Sequence, residues 1–296
     1  MAATSARHQA SDAQNLYDNR APVYDDSWHP RFARHIVKFA QLQPGEHVLD
    51  LACGTGLVSY PASKAVGPEG SVTGIDISSG MLAQAEAKKS SHSHSNVEFY
   101  QHSITDLDSM PELKGKTFDA ITCASALVLL EHPAEALKQW ASYLKPGGRL
   151  ITDATHPRSQ LALITFERVG RALGKPVPFY RIDFQKPDDL RSIMEGAGLQ
   201  VDVKLISQLD IDGKEDLESY LEDFNNPRIE RLYSVDDADE KFDRIIDTWS
   251  MADLAVPDMR QQARKLFKEE WAKLADADGK VKAVDGVFVG IGRKAQ

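Results

Sequence analysis

Cysteine is nearly missing from this sequence: Cys53 and Cys123 are the two in 296 residues. Two thiols make neither a disulfide framework nor a tetrahedral zinc site, so the fold must rest on an apolar core. No apolar run approaches the length of about eighteen residues that a membrane-spanning helix needs, so no such helix is expected. The N-terminus is polar and rich in Ala and Ser, without the apolar stretch of a secretory signal. A basic excess is missing too. The 35 Lys+Arg against 44 Asp+Glu leave a net charge of −9, shared evenly by the two halves of the chain. That field disfavours nucleic acid and anionic membranes as partners. No internal repeat stands out. With 42% hydrophobic and 27% charged residues, the composition is that of a globular protein. The length suits one α/β domain with an added subdomain. A cytoplasmic protein with reduced thiols is expected.

Strand-like runs at residues 47–51, 71–75, 96–101, 118–123 and 148–153 alternate with helical stretches, clearest at 80–89 and 133–144. This alternation predicts βαβ units and a parallel sheet covered on both faces, with right-handed crossovers. Ligands of such sheets bind beyond the carboxyl ends of the strands. The second half changes character. It reads as helices at 161–173, 187–197, 215–226, 236–254 and 257–276, with strands at 199–206 and 286–292. Met259, Ala263, Leu266, Phe267, Trp271 and Leu274 share one helical face. Periodicity of that kind makes the long stretch between the last two strands an inserted cap, not a loop. The connector Ser90-Ser91-His92-Ser93-His94-Ser95 reads as solvated, and its histidines as free of metal.

The chemistry begins where Val48-Leu49-Asp50-Leu51 runs into Ala52-Cys53-Gly54-Thr55-Gly56 and then a helix. A strand opening on closely spaced glycines lets backbone N–H groups approach a ligand. Asp76, twenty residues beyond Gly56, ends the second strand, where a carboxylate accepts both hydroxyls of a ribose. To this point an NAD-dependent oxidoreductase and an enzyme with an adenosyl cofactor fit equally. Asp50 separates them, because a carboxylate inside the glycine motif faces an amino group well and repels a pyrophosphate. The missing third glycine of the dinucleotide fingerprint points the same way. A tight turn with no ligand is the plain alternative.

Four motifs stand in order: Leu49-Asp-Leu-Ala-Cys-Gly-Thr-Gly56, Gly74-Ile-Asp-Ile-Ser-Ser-Gly-Met-Leu82, Phe118-Asp-Ala-Ile121 and Leu144-Lys-Pro-Gly-Gly-Arg-Leu150. Together they resemble class I S-adenosylmethionine-dependent methyltransferases, nearest to the ubiquinone/menaquinone C-methyltransferase subgroup. The resemblance covers residues 16–157 and the strands near 200 and 290. It implies a Rossmann-like α/β fold whose seven-stranded sheet runs 3-2-1-4-5-7-6, strand 7 antiparallel, with a helical cap. Residues 1–45 would then close over the cofactor and residues 46–157 form the core that binds it. A helical insertion (158–198) on the substrate side, the sixth strand (199–211), the cap (212–284) and the last strand (285–296) would follow.

The resemblance also implies roles. Thr55 and the backbone of Ala52, Gly54 and Gly56 would hold the methionine end of S-adenosylmethionine, with Asp50 near its amino group. Asp76 would bind the ribose, and Ile77 and Met81 would sandwich the adenine. Ser103 and Ile104 would border that base; Ser103 departs from the usual Asp or Asn, which shifts the amino contact toward Asp106. Ala124 and Ser125 would lie beside the sulfur. The N-terminal run from Leu16 to Asp25 resembles the segment that closes over the cofactor, with Tyr17 and Tyr24 above it and Arg20 near its carboxylate. An aromatic face near a sulfonium is favoured by about 0.5–2 kcal/mol. Packing of the tyrosines and Trp28 as a helix anchor is the alternative.

His156, just past the fifth strand, is the first candidate base, with His132 and His29 as alternatives. All three precede proline, a common turn pairing. Cys53 and Cys123 read as buried packing. After the fourth strand the chain has Ala124-Ser125-Ala126-Leu127, not the motif with which nucleic-acid amino-methyltransferases grip a flipped base. A small-molecule acceptor is therefore expected. Phe166, Phe179, Tyr180, Tyr220, Phe224, Tyr233, Trp249 and Trp271 are available to enclose it or to build the cap's own core. The acidic run Asp236, Asp237, Asp239, Glu240, Asp243 and Asp247 reads as a solvated face, with a partner surface as its rival. A fold that binds the cofactor without transferring a methyl group is the second functional alternative, ahead of the oxidoreductase.

Overall fold

A computed structural model describes residues 2–91, 96–175, 177, 184–207 and 220–296. The first half comprises α1 (Ala2–Arg20), α2 (His29–Ala40), β1 (His47–Leu51), α3 (Ser59–Val66), β2 (Ser71–Asp76), α4 (Ser79–Ser91), β3 (Val97–Gln101), β4 (Phe118–Cys123), α5 (Pro133–Ser142) and β5 (Leu144–Thr155). The second comprises α6 (Leu161–Ala172), α7 (Pro187–Glu195), β6 (Leu199–Ile206), β7 (Ile229–Ser234), α8 (Ala238–Ile246), α9 (Ala252–Ala255), α10 (Pro257–Ala272), β8 (Lys280–Val284) and β9 (Val287–Lys294). Seven strands form one sheet in the order β3-β2-β1-β4-β5-β9-β6. β9 runs antiparallel to both β5 and β6, and the pairs from β3 to β5 are parallel. The expected order and antiparallel last strand are both present.

The central strands form because both of their faces are covered. Val48 and Val72 pack against Ala62 and Val66 of α3 on one side, while Leu49 and Ile121 pack toward Leu137 and Trp140 of α5 on the other. Strands buried on both faces read as nearly continuous apolar runs, which is why they were visible in the sequence. α2 lays Phe32, Ile36 and Phe39 on Ile151, Val287 and Val289. Arg149 of β5 fastens these layers. Its guanidinium meets Glu46 in two bonds of 2.8 and 2.6 Å and donates to the carbonyls of Ala40 and Gln41. Paired on both prongs, a buried charge of this kind is tolerated.

The cap departs from the all-helical expectation. β7 and β8 pair as an antiparallel ribbon, and residues 236–254 split into α8 and α9. Residues 220–226, expected to be helical, instead bring Leu221 into a bridge with Ile206, and residues 215–219 lie outside the described residues. Phe166 of α6 packs between Phe242 and Phe267, and Phe267 stacks on Trp271, whose Nε1–H donates to the Ser234 carbonyl at 3.0 Å. Phe166, Tyr233 and Trp271 therefore build the cap's own core, and α6 belongs with the cap. Phe179, Tyr180, the connector 92–95 and the side chain of Trp249 fall outside what is described.

The acidic run is a paired surface. Asp239, Asp243 and Asp247 of α8 and the turn after it face Arg260, Arg264 and Lys268 of α10. Such exposed pairs add little stability individually. Among the described residues, no helix is long and apolar enough to cross a membrane.

Candidate active site

β1 ends at Leu51, and the chain turns through left-handed backbone at Ala52, Gly54 and Gly56. The two glycines serve different ends. A Cβ on Gly56 would stand 2.6 Å from the Tyr60 ring, whereas one on Gly54 would meet nothing nearer than Tyr24, at 4.0 Å. Gly56 is thus required by packing, and Gly54 opens its backbone to the space above the sheet. Asp76 Oδ2 accepts the Gly54 N–H at 2.8 Å and Oδ1 accepts the Ser78 N–H at 2.8 Å. Burial raises the pKa of this carboxyl against those two bonds.

A cavity of about 440 Å³ lies over this turn, within the ~300–1,000 Å³ of small-molecule sites. It spans the point where the strand order reverses between β1 and β4, the ligand position of open α/β sheets. Asp76, Ile77 and Met81 line one end, Ser103 and Ile104 one wall, and Ala52, Gly54 and Ala124 the floor; Tyr17 and Tyr24 border it from the N-terminal segment. A smaller pocket, about 30 Å³, adjoins it below Tyr24, His29 and Phe32 and reaches Asp50. Asp50 itself is sealed in. It accepts the hydroxyls of Ser59 at 2.5 Å and Thr122 at 2.8 Å, and burial pushes its carboxyl up to about 6.

The N-terminal segment is clamped across the glycine turn. Asp18 accepts the Ser78 hydroxyl and the Gly80 N–H. Asp25 accepts the Thr55 hydroxyl at 2.6 Å and pairs with Lys88, which also donates to the Thr55 carbonyl. Arg20 lies 5.6 and 5.5 Å from the ring centres of Tyr17 and Tyr24. Arg20, Thr55, Gly56 and Asp106 therefore stand outside the cavity lining; Thr55 and Arg20 act on the clamp, and Asp106 accepts the Ser109 hydroxyl. Asp18 and Asp25 belong to the N-terminal motif but carry no role in the sequence, and Lys88 lies outside it; their partners stand 30 or more residues away.

Comparison with known proteins follows the same lines. Residues 42–172 match the family model described as a methyltransferase domain. All four of the ordered motifs lie within the matched residues. The chain is 33% identical over 164 residues to demethylmenaquinone methyltransferase of Lactococcus lactis, covering 54% of this chain and 64% of that protein. It is 35% identical over 167 residues to ubiquinone biosynthesis O-methyltransferase of Xanthomonas axonopodis, covering 55% and 66%. The chain thus spans just under two thirds of the length of these curated relatives. A cyclopropane-fatty-acyl-phospholipid synthase-like protein from Lactobacillus casei shares the fold at a TM-score of 0.56 and 17% identity, over 88% of this chain and 90% of that one.

Of the methyltransferase domain's candidate bases, His132 lines the large cavity, at the N-terminus of α5. His29 borders the small pocket, stacked between Tyr24 and Trp28 with centroids 4.2 Å away on each side. Burial lowers its pKa to about 3. His156 reaches neither pocket. Its Nδ1 accepts the Arg158 N–H at 3.1 Å, and burial lowers its pKa to about 4. It anchors the turn after β5 and is a poor base. Both cysteines are buried, with thiols pushed well up by burial.

Sequence reasoning also passed over Asp153, although a lone carboxylate in the apolar run of β5 is the same signal that marked Asp50. Burial pushes Asp153 up to about 7, opposed by the Ser125 N–H that donates to it at 2.6 Å. A carboxyl whose folded pKa lies above its unfolded one contributes stability that is complete below the unfolded value and lost as pH rises through the folded value. For Asp153 that window runs from 3.8 to about 7. His29, His35 and His156, with pKa values depressed by desolvation, act oppositely, costing stability below pH 6.5. Wild type should therefore lose stability relative to Asp153→Asn by up to about 1.4 kcal/mol per pH unit inside the window. Urea unfolding of both proteins at pH 5, 6, 7 and 8 checks this. A pH-independent difference would mean that Asp153 is ionised throughout.

Proposed function

We propose that the protein transfers a methyl group from S-adenosylmethionine to a small organic acceptor in the cytoplasm. The observation that carries this reading is the convergence of Gly54, Asp76 and Ala124 on one cavity at the reversal of strand order. The residues suit the cofactor. Asp76 offers an anchored carboxylate to a ribose diol, because each oxygen keeps an acceptor site beyond its backbone bond. Ile77, Met81 and Ile104 supply apolar surface for a flat base, with Ser103 beside it. The open face of Gly54 lets the backbone approach the amino-acid end, and Asp50 supplies negative charge behind the turn. When bound, the cofactor would supply an electrophilic sulfonium methyl to the acceptor's lone pair, and the acceptor's proton would pass to His132 at the cavity lining.

This chain's part is then orientation and exclusion of water, from which proximity supplies roughly 7–11 kcal/mol. The N-terminal clamp holds Tyr17 and Tyr24 over the cavity. Both phenols stay neutral, burial having raised Tyr17 to about 12 and Tyr24 well above its ordinary value. His132 is the imidazole placed to take a proton. The names of the relatives, a demethylmenaquinone methyltransferase and a ubiquinone O-methyltransferase, support a quinol-like or phenolic acceptor.

The test pairs binding with turnover. At a hundred times its dissociation constant a ligand stabilises its protein by about 2.7 kcal/mol, a melting shift of several degrees. S-adenosylmethionine and S-adenosylhomocysteine should give that shift and NAD none, and label should pass from methyl-labelled cofactor to reduced naphthoquinones or phenols. A shift with NAD alone would restore the oxidoreductase. Binding without label transfer would leave a methyltransferase-like binding protein.

A further inference from the structure

Ser125 is held in a backbone conformation that a serine adopts under compulsion. It follows β4 at φ +58, in the left-handed region that penalises any residue with a Cβ. Glycine would take this turn freely, as Gly54 and Gly56 do in the neighbouring one. The turn is held from β5, because Asp153 Oδ1 accepts the Ser125 N–H at 2.6 Å. The side-chain oxygen, by contrast, is buried without any hydrogen-bond partner. An unsatisfied buried hydroxyl is itself destabilising. Both costs fall where the two pockets meet, since Ser125 lines the large cavity and the small one.

Its place in the sheet says which ligand it faces. β4 lies two strand positions from β2 in the order β2-β1-β4, about 10 Å at the usual strand spacing. Asp76 thus holds the end of the cavity suited to a ribose, and Ser125 stands at the other, on the β4 and β5 side.

We propose, resting on the methyl-transfer reading above, that Ser125 determines acceptor specificity by hydrogen-bonding the nucleophile once rotation about Cα–Cβ turns its buried Oγ to the cavity, and that Asp153 is the positioning residue that holds the serine backbone there. An acceptor with an O–H or N–H donates to Oγ and keeps a lone pair free to face the methyl carbon. A reacting carbon carries no such hydrogen itself, so the pair favours methyl transfer to oxygen or nitrogen. Sites built to hydrogen-bond a substrate group reject analogues lacking it strongly.

Wild type, Ser125→Ala, Ser125→Gly, Asp153→Asn and Asp153→Ala are compared by calorimetric binding of S-adenosylhomocysteine, by melting temperature, and by labelled-methyl transfer to phenols, aryl amines and reduced naphthoquinones. Both Ser125 variants should bind S-adenosylhomocysteine within about threefold of wild type and lose roughly 10–100-fold in kcat/KM. Ser125→Gly should melt at or above wild type, because the backbone strain is relieved. Asp153→Asn keeps an oxygen for the Ser125 N–H and should retain most activity, while Asp153→Ala falls with the Ser125 variants. Full activity in Ser125→Ala, or a melting point several degrees lower in Ser125→Gly, overturns the role. A tenfold loss of S-adenosylhomocysteine affinity also overturns it and assigns the serine to the cofactor. Wild type that binds but methylates none of these acceptors overturns both this role and the function, a result distinct from active wild type with unaffected variants.

Discussion

Asp76→Ala should weaken S-adenosylhomocysteine binding at least about 100-fold, the largest effect of any single change at the site. Hydrogen bonds to an ionised carboxylate are worth roughly 1.5–3 kcal/mol each, and a ribose diol would make two. The substitution also strips the acceptor from the N–H groups of Gly54 and Ser78, so the glycine turn loses its tie to β2. Asp76→Asn separates these effects, because its amide oxygen still accepts one backbone donor while the charge is gone. It should fall between alanine and wild type. Titration calorimetry on the three proteins measures the series, with melting temperature as the check on folding. Alanine-variant affinity within threefold of wild type would place the adenosyl group elsewhere.

The largest effect on stability is expected at Trp140→Ala. The indole is fully buried against β4 and β5, and its Nε1–H donates to the Ile104 carbonyl at 2.7 Å. Truncating a buried Trp costs about 3–5 kcal/mol, which for a chain of this size lowers the melting temperature by roughly 6–20 °C. The bond to Ile104 couples this core position to the site, since Ile104 and Ser103 form a wall of the cavity. Ligand affinity should drop with stability in the alanine variant. Trp140→Phe keeps most of the apolar area and loses the bond alone, so its cost should be nearer 1 kcal/mol. Urea unfolding distinguishes the two. A loss under 1 kcal/mol for alanine would mean that α5 does not support the cavity wall.

Much of the fold was legible because its signals are local. Each central strand is a short apolar run covered on both faces, and the turn from Ala52 to Gly56 announces itself by spacing. A carboxylate in an apolar strand end, as at Asp50 and Asp76, stands out for the same reason. The cap was harder. β7 is mostly exposed, so its residues carry no apolar alternation, and its partner β8 arrives only after α8, α9 and α10. The acidic face of α8 looked like free surface because the cations that pair with it lie on α10.

The histidines make the same point for the site. His29, His132 and His156 each precede proline and are locally alike, yet one is stacked in aromatics, one lines the large cavity and one holds a turn. The parallel sheet, its order by resemblance, and the pairing of a glycine turn with Asp76 are all readable from the chain alone. Those features depend on residues adjacent in the chain or on neighbouring strand ends. Which histidine reaches the cavity, how Asp18, Asp25 and Lys88 clamp the N-terminal segment, and that Asp153 holds Ser125 emerge with folding. These rest on burial and on contacts between residues far apart in the chain, for which local composition carries no signal.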